Sequence, residues 1–217
     1  MRTLIKFSFA FMMLALVASC KNDKTKAAKT GEAKEKAVPT ATAKSYSVSS
    51  GSVTWTASKI TGAEHTGTIN IKSGVFAAEG SNLKSGNFVI DIASLKNTDL
   101  AGSDGQAKLE GHLKSADFFE VEKFPTAAFA VTSVSALDTD EANCEITGNL
   151  TLKGVTKSVK FPALVVAKAD GTLTAISDKF AINRNDWGMQ YGSGLSGAVG
   201  DNVINDNVTL RVEFKAK

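Results

Sequence analysis

The chain has 217 residues and a formal charge of +3, yet the part from Ser45 onward carries 16 basic and 19 acidic side chains. The basic balance therefore belongs to the first 44 residues, which excludes a nucleic-acid-binding body, since that needs a basic face. The roughly 170 residues from Ser45 suffice for one domain with a sizeable core.

Arg2 and Lys6 precede an apolar run from Phe7 to Val17, too short for a comfortable membrane span. Val17-Ala18-Ser19 are small or apolar and Cys20 follows at once, so residues 1–19 read as a secretory signal. The stretch resembles a bacterial lipobox, which implies cleavage before Cys20 and acylation of its thiol. Acyl chains would anchor the protein to a membrane without spanning it. Lys21 does not resemble the Asp that keeps many lipoproteins on the inner membrane. The expected location is thus the cell envelope, at the outer membrane, on its periplasmic or surface face. Residues 20–44 are rich in Lys, Ala, Thr and Glu and hold almost no large apolar residue, so they read as a flexible tether.

From Ser45 the pattern alternates. Val53-Thr54-Trp55-Thr56-Ala57 and Gly67-Thr68-Ile69-Asn70-Ile71 have period two, and Phe88, Ile90 and Ile92 share a face. Ala101 to Gly105 reads as a loop of small residues. His112 to Phe129 breaks the alternation. Ser115 reads as a helix cap, Asp117 as a first-turn acid, and Phe118, Phe119, Val121 and Phe124 as bulky groups on successive turns before Pro125. This predicts a short helical plug closing one end of a β body. Phe129 and Val131 then share a face, as do Ile146, Gly148, Leu150 and Leu152, and Val208 to Phe214 closes the chain. Cys144 falls on an apolar face and has no intrachain partner once Cys20 is acylated, so it reads as a small buried hydrophobe. Period-two strands with turns every eight to twelve residues indicate an all-β antiparallel barrel or sandwich. Periodicity alone does not choose between them.

The residues His112-Leu113-x-Ser115-x-Asp117-Phe118-Phe119, Phe124-Pro125-Thr126 and Gly148-Asn149-Leu150-Thr151-Leu152-Lys153-Gly154-Val155-Thr156-Lys157 resemble the YceI family. Trp55-Thr56, His65-Thr66-Gly67-Thr68-Ile69, Asp91-Ile92-Ala93-Ser94-Leu95 and Phe180-Ala181-Ile182-Asn183-Arg184-x-Asp186-Trp187-Gly188 fit the same pattern, so the likeness covers 45–217. The resemblance implies a lipocalin-like antiparallel barrel of about eight strands with one short helix. It also implies an apolar lumen for a polyisoprenoid or isoprenoid quinone. Candidates for the lumen wall are Trp55, Ile69, Phe88, Ile90, Phe118, Phe119, Phe129, Val131, Ile146 and Leu150. Trp55, Phe88 and Phe129 either line the lumen or fill it.

His65, His112 and Arg184 are candidates for contact with a ligand head group, with structural hydrogen bonding, or an Arg184–Asp186 pair, as the alternative for each. The two His lack a metal-ligand spacing, and no Ser-His-Asp elbow, CxxC or P-loop occurs, so neither metal nor cofactor is expected. Three readings follow: a lipid carrier or store, a structural or interaction module with a filled barrel, and an enzyme acting on a lipid or quinone. The first is preferred. A homodimer through an exposed barrel face stays open.

Overall fold

The computed structural model describes residues 28–217, so the leader and Cys20 lie outside the described residues. The strands are β1 (Lys44–Ser58), β2 (Glu64–Glu79), β3 (Asn82–Asp91), β4 (Lys96–Asn97), β5 (Thr126–Ala136), β6 (Cys144–Leu152), β7 (Val155–Ala167), β8 (Leu173–Ser177), β9 (Phe180–Asn183) and β10 (Asn207–Ala216). Each main strand pairs antiparallel with two neighbours, and β1 pairs with both β2 and β10, which closes the sheet on itself. β8 and β9 share one place in the ring because both pair with β10, so the barrel has eight staves. β4 is a two-residue spur beside Gly67 and Thr68. Register shifts between Ile71 and Ser73 and between Val131 and Ser133 add the local bend that closure needs. Closure removes the edges that an open sheet would expose.

One end of the barrel, the mouth, carries the connections 59–63, 92–125, 153–154 and 184–206. The other carries only the short turns 80–81, 137–143 and 168–172. The single α-helix among the described residues, α1 (Asp104–Lys114), lies in the long mouth connection. The predicted helical plug is therefore displaced. Ser115 ends a helix instead of starting one, and its N–H and Oγ–H both bond the His112 carbonyl. Residues 115–125 form successive turns, with Glu120 in the left-handed region at φ 49°. Their aromatic groups face the mouth and act as the plug without being helical. The real helix begins inside the expected loop, at Asp104. It has no buried residue, and only Leu109 and Leu113 pack against the core, so it gives no strong apolar period to read.

The expected free tether also differs. Residues 28–43 form an extended strap on the outside of the barrel. Thr40 and Thr42 bond Glu79 near the closed end, Ala37 N–H donates to the Val131 carbonyl, and Lys34 pairs its backbone with the Asn149 amide through both N–H and C=O. Gly31 then exchanges both backbone bonds with Ser158 on β7, and Ala28 N–H donates to Ala181 on β9. These last contacts matter because β9 pairs only with β10, and β7 pairs with β8 only beyond Pro162. The strap bridges the resulting seam. It also explains why outward-facing Asn149 and Ser158 are buried.

Candidate functional site

Inward side chains divide the barrel into a solid half and a hollow half. Toward the closed end, Phe76 stacks on Phe214 at 4.2 Å, Phe88 on Phe129 at 5.2 Å and Phe161 on Phe180 at 4.4 Å, with Phe129 and Phe161 5.6 Å apart. The rings lie flat against the wall because Gly86 and Gly148 stand beneath them. A Cβ at Gly86 would collide with the Phe76 ring, and one at Gly148 with the Phe129 ring. The space left among these residues is only about 20 Å³. Four of the expected lumen residues, Phe88, Phe129, Val131 and Ile146, belong to this packed floor.

Above the floor is an apolar cavity of about 100 Å³. The other six expected residues, Trp55, Ile69, Ile90, Phe118, Phe119 and Leu150, line it. Leu95, Leu113, Met189 and Ile204 complete the wall from the mouth connections. A wider vestibule of about 550 Å³ adjoins the cavity, with Trp55, Ala57, Leu113, Phe118 and Ile204 bordering both. Together the two spaces fall in the size range of small-molecule pockets, about 300–1,000 Å³.

The vestibule brings together His65 and His112, far apart in sequence, with Tyr191 and Lys59. Each His has a carboxylate partner: His65 Nδ1 lies 2.8 Å from Asp99 and His112 Nε2 lies 2.9 Å from Asp117. His112 also meets the rings of Phe118 and Tyr191 edge-on, at 5.1 and 4.7 Å. Partial desolvation works against ionisation of Asp99, but hydrogen bonds from His65, the Thr66 backbone and Asn97 hold its carboxyl at about 2, against an ordinary 3.8. Asn97 is fully buried and bonds Thr66, Leu100, Glu110 and Gln106 as well, so this cluster ties α1 to β2. A carboxyl depressed by folding stabilises the native state above its unfolded value and loses that contribution as pH falls through its folded value. Asp99→Asn is therefore expected to flatten the loss of stability between about pH 4 and pH 2, read by denaturant unfolding across that range. Glu79, also held at about 2 by Thr42, Thr40 and Lys84, supplies the slope that remains.

Arg184 borders the cavity, but the fold engages its donors elsewhere. It is 2% exposed and its partner is Asp206, at 3.4 Å, not Asp186, which instead accepts from Thr30. Its Nε and Nη donors bond Asn205, Met189, Tyr191 and Ile204 carbonyls and the Asp206 carboxylate, five bonds for five N–H groups. It holds the Gly-rich loop of residues 188–206 in place. The buried donor without a partner among the described residues is Trp55 Nε1, at the boundary between cavity and vestibule. Cys144 is buried as expected, and desolvation pushes its thiol up to about 11. The described residues contain no cluster of three or more His, Cys, Asp or Glu arranged for a metal.

Comparison with known proteins agrees with this architecture. A UPF0312 protein of Enterobacter sp. (strain 638) is 47% identical over 64 residues, 30% of this chain and 32% of the relative. A UPF0312 protein of Pectobacterium atrosepticum is 36% identical over 104 residues, 48% of this chain and 50% of the relative. The chain thus spans about a third to a half of the length of these curated relatives. The crystal structure of Burkholderia cenocepacia BcnA superimposes with a TM-score of 0.56 at 18% identity, covering 77% of this chain and 96% of BcnA. A polyisoprenoid-binding domain from Saccharophagus degradans, implicated in plant cell wall breakdown, gives 0.55 at 17% identity, covering 79% and 97%. Similarity at this level establishes the shared fold. The model of the YceI-like domain matches residues 36–216, beginning within the strap. With that match across most of its length, the chain belongs to the YceI-like domain family.

Proposed function

We propose that the protein binds one linear, apolar lipid of the isoprenoid class, with its tail in the cavity and its head in the vestibule, as a carrier or store at the cell envelope. The observation that carries this reading is an apolar cavity between the phenylalanine floor and a mixed polar and apolar vestibule at the mouth. A dry cavity of this kind gains about 25 cal/mol for each Å² of tail it removes from water, without polar chemistry. The Saccharophagus degradans neighbour, described as polyisoprenoid-binding, supports the ligand class. The lipobox-like leader supports the location, with Cys20 as the anchor.

The floor sets a limit on the ligand. A cavity of about 100 Å³ admits only the leading end of a prenyl chain, so most of the ligand occupies the vestibule. The head group accepts hydrogen bonds and, among the described residues, meets at most one unpaired cation, Lys59. Arg184 has no donor left for an anion, both His are paired with carboxylates, and Lys59 is the only Lys or Arg lining the vestibule. Trp55 borders both spaces and its Nε1–H is buried without a partner among the described residues, so it is the donor a carbonyl or ether oxygen would satisfy once the side chains around it shift. Mass spectrometry of an organic extract of the purified protein tests the reading. One long-chain lipid per chain is expected, and a lipid-free protein that takes up no added isoprenoid would refute it. Trp55→Phe keeps the ring but deletes the donor. It is expected to weaken lipid affinity by about three- to tenfold, one hydrogen bond's worth, with the melting temperature nearly unchanged. Equal affinity in a fluorescent-lipid displacement titration would remove Trp55 from the head-group site.

A further inference from the structure

Large exposed apolar side chains are unevenly spread over the described surface. Val38, Val75 and Val155 stand apart, whereas Ile60, Tyr191, Leu195 and Val199 all sit on the two loops that frame the vestibule. Ile60 N–H donates to the Val203 carbonyl at 3.1 Å, which joins those loops into one rim. Leu195 and Val199 are 82% and 76% exposed, so the rim offers its apolar groups outward instead of folding them into the cavity. Contiguous exposed apolar groups mark interaction sites.

The route of the strap says which partner the rim meets. β1 begins at the closed end, so a tether joined at Lys44 would hang the barrel by the end away from its mouth. The strap reverses that. It runs from Glu79 at the closed end past Val131 and Asn149, and it brings Ala28 to β9 and Thr30 to Asp186 in the mouth loop, the latter at 2.7 Å. Cys20 precedes Ala28 by eight residues, a reach of at most about 29 Å for an extended chain. The 16-residue β2 alone measures roughly 50 Å at about 3.3 Å per residue. An anchor at Cys20 therefore joins a strap whose first described residues lie against β9 and the mouth loop, not at Lys44 on the closed end.

We propose that the rim formed by Ile60, Tyr191, Leu195 and Val199 docks on a phospholipid bilayer, with the strap holding the N-terminal anchor on that same side. The vestibule then opens directly onto the lipid phase, and an apolar ligand passes between bilayer and barrel without crossing water. The docked face does not depend on which ligand the lumen takes. Acyl chains supply one attachment and the rim a second, which fixes the orientation that a flexible anchor alone leaves free.

The test uses the full chain, expressed with its own leader and reconstituted on vesicles of phosphatidylethanolamine and phosphatidylglycerol that contain nitroxide-labelled lipid. A thiol-reactive fluorophore is placed through Leu195→Cys on the rim, or through Asp140→Cys at the exposed closed-end turn. The unsubstituted chain gives the background, because Cys144 is buried and its thiol is hard to ionise. Quenching of the L195C label several-fold above that of the D140C label is expected. Leu195→Glu with Val199→Glu, both at exposed positions, is expected to lower vesicle association at least tenfold in a chain begun at position 20 with Cys20→Ala, with unchanged far-ultraviolet circular dichroism. Equal quenching at the two positions, or none at L195C, would overturn the proposal, as would full vesicle association of the double-Glu chain. Failure of the ligand reading shows separately, as an empty lipid extract.

Discussion

Arg184→Met should cost about 3–5 kcal/mol of stability and empty the vestibule of ligand. Met matches the length and apolar bulk of the Arg stem but offers no donor. The substitution strands the carbonyls of Met189, Tyr191, Ile204 and Asn205 and leaves Asp206 without its cation. Each buried acceptor left unpaired costs about 1–3 kcal/mol, but the loop can move some of them to water, so the sum is not reached. That escape is itself the functional damage, because the loop supplies Met189, Tyr191 and Ile204 to the two cavities. Arg184→Lys should not rescue, since three rotatable donors cannot reproduce a planar fork of five. Denaturant unfolding and the lipid content of the purified variant check both halves of the statement. A loss below about 1 kcal/mol, or full rescue by Lys, would mean that the loop holds itself.

Phe129→Ala should destabilise by about 3–5 kcal/mol and, in the fraction that folds, shift the bound lipids toward longer chains. Phe129 is 4% exposed and sits between Phe88 and Phe161, over the bare backbone of Gly148. Nothing on the facing backbone can fill the space, because Gly148 has no side chain, so truncation removes a central part of the floor. Unfolding curves give the first quantity and the mass distribution of extracted lipids the second. If stability falls and the distribution does not move, something other than this ring ends the passage.

Alternation placed the lumen residues on the inward face correctly, from Trp55 and Ile69 on β1 and β2 to Leu150 on β6. It could not tell Ile90 from Phe88, two residues apart on one strand, although the first borders a cavity and the second fills the floor. Period two reports the side of a sheet and is silent about height along a barrel axis. The plug reads as helical because Phe118, Phe119, Val121 and Phe124 lie in tight turns whose spacing imitates a helix. The true helix was hidden by its own polarity. The strap left no apolar signature because main-chain bonds and one Asn side chain do most of the holding. Arg184 lies near Asp186 in sequence, yet the fold pairs it with Asp206 across the loop, a choice that local spacing does not contain.

The gap that strap residues 28–31 bridge has one more implication. Between β7 and β9 the wall depends on a segment attached by a handful of main-chain bonds and backed by few large side chains, so it should open at lower free energy than the staves around it. Amide exchange at Gly31 and Ser158 is then expected to outrun that at Val159, whose strand pairing with Gly148 is independent of it. A chain begun at Ser45 would lose these bonds and leave the Phe161–Phe180 stack to join β7 to β9, so proteases are expected to cut it faster along that line.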